Sequence, residues 1–250
     1  MIIDAHTHMF EHYLSQKGLA IDDFVAGLQK AGTDKVLLFG LYESFFGPSS
    51  PANDAIAANA HLYPGSLYPV CTVHPRDGNA AIREMERCAS ELGMVALKLH
   101  PWLQAFSVVE AGMVPILQAA AGLRWPVIFH DGTPPYSTPL QIAYLASQVP
   151  ECTVILGHSG LSDFPPEALA AARRCPNVYL CLCGVPLNWM RVYVQRLGVN
   201  RLLYGSDYPF GGPASLYYYR MKIDALGLSQ NDYERVMSGN IRQLIPALDG

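Results

Sequence analysis

Short apolar runs and longer amphipathic stretches alternate along the whole chain. The runs IIDAH (2–6), KVLLFG (35–40), LYPVCTV (67–73), VALKL (95–99), PVIFH (126–130), CTVILGH (152–158), NVYLCLC (177–183) and RLLYGS (201–206) have the length and β-branched content of strands. Between them lie helical patterns such as IDDFVAGLQKAG, NAAIREMERCASELG and PPEALAAARRC, several entered after Pro, Asp or Asn and several closed by Gly. The last segment, NDYERVMSGNIRQLI, reads as an additional C-terminal helix. Near-continuous apolar strand runs predict a parallel sheet buried on both faces. Eight strand–helix units in 250 residues predict an α/β fold, a (β/α)8 TIM barrel, as a single domain over residues 1–250. An open doubly wound sheet is the alternative, but the Gly-rich phosphate loop that would favour it is missing after the first strand.

Composition narrows the partners. Half of the residues are apolar and 15% are charged, enough to bury a large core. A net charge of −4 and the lack of a Lys/Arg run argue against nucleic acid as a partner. No apolar stretch approaches the ~20 residues that span a bilayer, and Asp4 and His6 interrupt the first apolar run too early for a secretory signal. The six cysteines contain no C-x-x-C pair and read as buried free thiols of a cytoplasmic protein. A small-molecule substrate is the expected partner, and a homodimer is compatible with the apolar loops.

Histidine changes the picture. Six of the eight histidines fall at or just beyond a strand's C-terminal end: His6, His8, His74, His100, His130 and His158, with Asp207 closing the eighth strand. About one should fall there by chance, and barrel enzymes build their sites at this end. Strand alternation puts Ala96, Lys98 and His100 on one face of VALKLHP and Val95, Leu97 and Leu99 on the other. The same parity places Asp4, His6 and His8 on one face. Taken singly, His74 or His130 reads as a hydrogen-bonded structural residue, and an H-x-H pair is equally a ligand or a structural pair. Together they form a polar set that is costly to bury without a common partner, for which a divalent cation serves. His12 and His61 lie in loop or helix and read as solvated.

In this order and spacing, DAHTHMF, KLHP, FHDG, LGHSG and YGSDYP resemble the amidohydrolase superfamily, specifically its amidohydrolase-related branch with the aminocarboxymuconate-semialdehyde decarboxylase group. GNIRQLI near the end resembles that branch's closing motif. The resemblance implies His6, His8, His130 and Asp207 as metal ligands and His158 as a catalytic residue beside the ion. Lys98 stands where some two-metal members carry a carboxylated lysine, although its KLHP setting resembles the one-metal branch; Lys98 and His100, to which no family role transfers, are second-metal or pocket candidates. Asp4, two residues deeper than His6, is expected to support the site by hydrogen bonding.

Three imidazoles and a carboxylate suit one Zn²⁺, with Mn²⁺ or Fe²⁺ also admissible, and no organic cofactor is implied. Asp207 could accept a proton from water, and His158 could polarise a carbonyl or protonate a leaving group. The leading expectation is a metal-dependent hydrolase of a small amide, ester or lactone. A nonoxidative decarboxylase of an unsaturated or aromatic acid is the alternative, and a non-catalytic binding barrel ranks last. Arg76 and Trp102 are candidate substrate contacts, Arg76 for a carboxylate. Phe45, Phe46 and Tyr136 are candidates for an aromatic wall, and Tyr217, Tyr218 and Tyr219 for helix packing.

Overall fold

The computed structural model describes residues 1–41 and 43–250. Eight parallel strands carry the fold: β1 (Ile3–Met9), β4 (Lys35–Gly40), β5 (Leu67–Pro69), β6 (Leu97–Leu99), β7 (Val127–Phe129), β8 (Val154–Leu156), β9 (Val178–Cys181) and β10 (Leu202–Leu203). They pair in parallel as a three-stranded sheet, β1-β4-β5, and a five-stranded sheet, β6 to β10. Backbone bonds join the two at both edges. Cys71 N–H donates to Ala96 O and Lys98 N–H to Cys71 O, while Ala5 N–H donates to Tyr204 O and His8 N–H to Tyr208 O. The sheet therefore returns on itself as the expected barrel, the arrangement that leaves no open edge.

Helices α1 (Ile21–Ala31), α3 (Ser49–His61), α4 (Asn79–Glu91), α5 (Met113–Gly122), α6 (Pro139–Gln148), α7 (Pro165–Arg174), α8 (Leu187–Leu197) and α9 (Ala214–Asp224) alternate with these strands. Their ends follow the sequence. Thr138 closes a capping box with Gln141 ahead of Pro139 on α6, and α1 stops at Gly32, whose φ of +71° suits glycine. Two short elements have no counterpart in the sequence reading: the hairpin β2 (His12–Tyr13) and β3 (Gln16–Lys17), and α2 (Glu43–Phe46). No helix among the described residues is long and apolar enough to cross a membrane.

Alternation divides the core. Leu97, Leu99, Val127, Phe129, Val154, Leu156, Val178 and Leu180 face the helices, while Ala96, Ile128, Ile155, Cys181 and Leu203 fill the barrel interior. The C-terminal segment forms α10 (Gln230–Glu234), a π-helical turn (Arg235–Gly239) and α11 (Asn240–Leu244). Ile241, Ile245 and Leu248 pack against the interior set and close the barrel floor. Buried Asn240 donates from Nδ2 to Val199 O and Leu202 O at 2.7 and 2.8 Å, tying α11 to the entry of β10.

A break in the regular pairing of β1 decides which of its side chains reach the barrel interior. Asp4 pairs with Val36 but Thr7 pairs with Leu38, so three steps on β1 match two on β4. This bulge changes the parity. Asp4 shares its side with Val36, which packs on α1 through Phe24 and Leu28, whereas His8 shares its side with interior Phe39. The expectation that Asp4, His6 and His8 share one face is thereby corrected: the two imidazoles point inward and Asp4 does not.

Candidate active site

The barrel mouth gathers Lys98, His6, His8, His100, His130, His158 and Asp207. His6 Nε2 lies 3.1 Å from His8 Nε2 and 3.4 Å from Asp207 Oδ1, and His8 Nε2 lies 3.1 Å from the same oxygen. Lys98 Nζ is 3.2 Å from His6 Nε2, and His158 Nε2 is 2.9 Å from His130 Nδ1. The His100 ring stacks on His130 with centroids 3.8 Å apart.

Backbone features aim these side chains. The β1 bulge turns both His6 and His8 inward. Gly157 and Gly205 leave the space for the His6 ring: a Cβ on either would lie 2.9 Å from a carbon of that side chain. Asp207 has a φ of +60°, an uncommon conformation for a residue other than glycine, and its N–H donates to His6 O. Asp4 staples the ends of the first and last strands, its Oδ1 accepting from His6 N–H at 3.0 Å and Ser206 N–H at 3.1 Å. This is the supporting hydrogen-bond position expected of it.

Electrostatics follow from burial. Burial, reinforced by Lys98 and neighbouring imidazoles, holds His6, His100 and His130 well below the usual histidine range. His8 is lowered mainly by burial, and His158 is brought down to about 4 by the same cause. Burial also lowers Lys98 to about 8. Burial alone would raise Asp207, but the His8 hydrogen bond and the charges of His158, His8 and Lys98 outweigh it and set the carboxyl at about 2. At neutral pH the mouth holds an anionic carboxylate among neutral imidazoles.

These donors fit a divalent cation. His6, His8 and Asp207 each offer a ligand atom, all within 4.8 Å of one another. Ligands about 2.0–2.1 Å from a shared ion, at octahedral to tetrahedral angles, lie about 2.9–3.4 Å apart, and the three measured edges fall in that range. Two imidazole nitrogens at such an approach want a common electrophile. His130, also expected as a ligand, is not in this set; its Nδ1 meets His158 Nε2 at 2.9 Å.

Above the donors opens a cavity of about 180 Å³, with His8, His100, His130, His158 and Asp207 as its polar lining and Tyr13, Leu41, Trp102 and Phe210 as its apolar wall. A larger groove of about 890 Å³ runs between the β2–β3 hairpin and α3, but shares no residue with this cavity. His8 and Asp207 of the donor set line the smaller space and not the groove.

A family model described as Amidohydrolase matches residues 3–246. The chain belongs to that amidohydrolase family. Among curated proteins it is similar to a 2-keto-4-carboxy-3-hexenedioate hydratase of Sphingobium sp. (strain NBRC 103272 / SYK-6), 22% identical over 242 residues, covering 79% of this chain and 71% of that one. A 2,6-dihydroxybenzoate decarboxylase from Rhizobium superposes with a TM-score of 0.77 at 15% identity, over 100% of this chain and 98% of the other. A dihydroxybenzoic acid decarboxylase from Polaromonas sp. JS666, solved with manganese and 2-nitroresorcinol, gives 0.76 at 18% identity, over 97% and 96%. The superpositions establish the shared barrel, and the chain is an enzyme of a metal-dependent family.

Several expected contacts fall elsewhere. Arg76 is not at the cavity: it forms a two-pronged pair with Glu110, Nε at 3.1 Å and Nη2 at 2.8 Å, and its side chain is 58% exposed. Expected as a contact for a substrate carboxylate, it instead has its charge matched by Glu110 on the surface. His74 caps a short 3-10 turn, its Nδ1 accepting from Arg76 N–H at 3.2 Å and its Nε2 meeting Gln104 O at 2.8 Å. Phe45 packs with Phe10, Leu41 and Leu103 behind the cavity wall, and Tyr136 is outside it. Tyr217 donates to Lys30 O on α1 and Tyr219 packs against the core, whereas Tyr218, also expected to pack, is exposed.

Sequence reasoning missed Asp131, Phe210 and Cys183 at this site, as well as Tyr13 and Leu41 of its wall. Asp131 of FHDG is fully buried and clamps the loop after β8, accepting from His158 N–H and Gly160 N–H at 2.6 Å each. Burial pushes this carboxyl up to about 6. Phe210 stacks on Phe10 and forms part of the wall, and Cys183 Sγ lies 3.5 Å from His158 Nδ1. The inward parity of CLC in the seventh strand could have flagged Cys183.

Proposed function

We propose that this amidohydrolase-family protein is a divalent-metal-dependent lyase that removes CO₂, without oxidation, from a small unsaturated or aromatic carboxylic acid. The observation that carries the reading is the mouth cavity, a polar floor of imidazoles and Asp207 beneath an aromatic and aliphatic wall of Tyr13, Leu41, Trp102 and Phe210. That division suits a flat carbon skeleton bearing an anionic group at one end. The similar proteins add support, being by name two decarboxylases of dihydroxybenzoates and a hydratase of an unsaturated carboxylate.

His6, His8 and Asp207 would hold the ion, with His130 as the further ligand the resemblance implies. When bound, the ion supplies an electrophilic seat for the substrate's carboxylate and draws electron density from its carbon skeleton. Lys98, 3.2 Å from His6 Nε2, adds positive field beneath the site. His158 is neutral at rest because burial lowers it to about 4, and an arriving anion favours its protonated form. Nε2 then gives its proton to the carbon that carries the carboxylate. The bond from that carbon to CO₂ breaks, and its electron pair restores the unsaturated system. Carboxylate and proton are thus exchanged for CO₂ and a C–H bond. Asp131 keeps His158 in place by holding its N–H.

Hydrolysis of an amide, ester or lactone is the second reading, favoured by Asp207, an ionised carboxylate at the donor cluster that could take a proton from water. The test is incubation of Zn²⁺- or Mn²⁺-loaded protein with hydroxybenzoates, unsaturated dicarboxylates, esters and lactones while CO₂ and product are followed. One CO₂ per substrate consumed is the expected result. A new acid formed without carbon loss would establish hydrolysis instead, and addition of water across a double bond would establish a hydratase.

A further inference from the structure

A second set of metal-capable donors sits beside the first. His6, His158 and Cys183 are buried, and each offers one ligand atom within 4.8 Å of the other two. Nitrogen and sulfur bound at about 2.0–2.1 and 2.3 Å to one tetrahedral ion are separated by about 3.6 Å. His158 Nδ1 and Cys183 Sγ already stand 3.5 Å apart. The proposed reaction uses His158 through Nε2, so Nδ1, which meets Cys183, and the thiol itself stand outside that reaction. His6 Nδ1 is buried and carries no hydrogen bond.

The backbone keeps this corner open. Gly184 has a φ of +85°, and a Cβ there would lie 3.3 Å from His158 Nδ1. A Cβ on Gly205 would press on His6 and lie 3.4 Å from the Cβ of Cys183.

The two donor sets differ in softness. His6, His8 and Asp207 combine imidazole with carboxylate oxygen and accept Mn²⁺ or Zn²⁺, whereas a thiolate ligand selects borderline and soft ions. We propose that His6, His158 and Cys183 form a second cation seat for thiophilic divalent ions such as Zn²⁺ or Cd²⁺, and that its occupation withdraws His158 from proton transfer. Binding breaks the Cys183 S–H bond and forms a metal–sulfur bond while the proton leaves to solvent, so no oxidant or reductant takes part. The two sets share His6, so a thiophilic ion also loosens the hold of the first set on a harder ion.

The test is a titration of the Mn²⁺-loaded protein with Cd²⁺, followed by ultraviolet thiolate-to-cadmium charge-transfer absorbance. The expected result is a band that saturates at one thiolate per chain. Cys183→Ser removes it, His158→Ala weakens apparent Cd²⁺ affinity at least about tenfold, and Cys181→Ser keeps it. A wild-type protein that gives no band overturns the proposal without recourse to any variant, as does a band that survives in Cys183→Ser. The absorbance reports the thiolate whatever reaction the mouth performs, so this proposal and the lyase reading fail independently.

Discussion

Two polar clusters among the described residues are built on opposite rules. Between α3 and α4, Glu84 accepts from Asn53 at 2.8 Å, Ser50 at 2.7 Å and both prongs of Arg87 at 2.9 Å, while Asn53 pairs with both backbone groups of Thr72. The donors of Asn53, Ser50 and Arg87 there all face oxygen acceptors, while the Thr72 hydroxyl is left without a partner among the described residues. Burial alone would raise Glu84, but the bonds from Arg87, Asn53 and Ser50 outweigh it and set its carboxyl at about 2. At the mouth, imidazole faces imidazole, and Lys98 faces His6. The first cluster completes itself and serves stability. The second has lone pairs converging on a point that no side chain fills, and it makes sense only with something added.

Removing donors from the mouth should produce the largest effect. Asp207→Ala or His8→Ala is expected to reduce bound metal to background in elemental analysis and turnover by about 10⁴-fold, since both the ion and its proton chemistry go. Retention of a full equivalent of metal in both variants would end the assignment of that set as the seat. His158→Ala comes next: metal retained, turnover down by about 10²–10³-fold. If that variant loses its ion as well, His158 is a ligand and the proton must come from elsewhere.

The self-completed cluster should respond in the opposite currency. Glu84→Gln is expected to cost about 1–3 kcal/mol of stability, the range for weakening a buried charged hydrogen-bond set, with kcat and KM unchanged. Its pH dependence has a definite sign. The folded carboxyl is lowered from 4.5 to about 2, so its contribution is fully present above about pH 4.5 and is lost as pH falls toward 2. Denaturant midpoints measured across that window should converge for wild type and Glu84→Gln at the acid end. A gap that stays constant with pH would mean that the charge of Glu84 adds nothing.

Legibility in the sequence followed the same divide between regular and irregular backbone. The parity of VALKLHP correctly separated Lys98 and His100 from Leu97 and Leu99, because β6 is a regular strand. The same rule failed at Asp4, since one extra residue in β1 leaves no mark in an apolar run. The C-terminal helix was visible as a helix, but its service as the barrel floor depends on Ile241, Ile245 and Leu248 meeting residues from several strands. Asp131 was in view within FHDG, yet its role needs the backbone of a loop 27 and 29 residues away. Such partners are set by closure of the barrel, which no local pattern records.

Arg76→Ala should have the smallest effect and is the sharpest check on where the mouth ends. From the sequence, an arginine in HPRD after the third strand is a natural partner for a substrate carboxylate. In the structure its guanidinium is bound by Glu110 on the surface, and it does not line the cavity. An exposed pair of this kind is screened by solvent and salt, so the variant is expected to keep the thermal midpoint, kcat and KM of the wild type. A rise in KM with kcat unchanged would mean that Arg76 leaves Glu110 when substrate arrives and that uniform binding energy has been lost. Glu110→Gln separates the cases: it frees the guanidinium, and should leave KM unchanged if the arginine never reaches the substrate but lower it if the two compete.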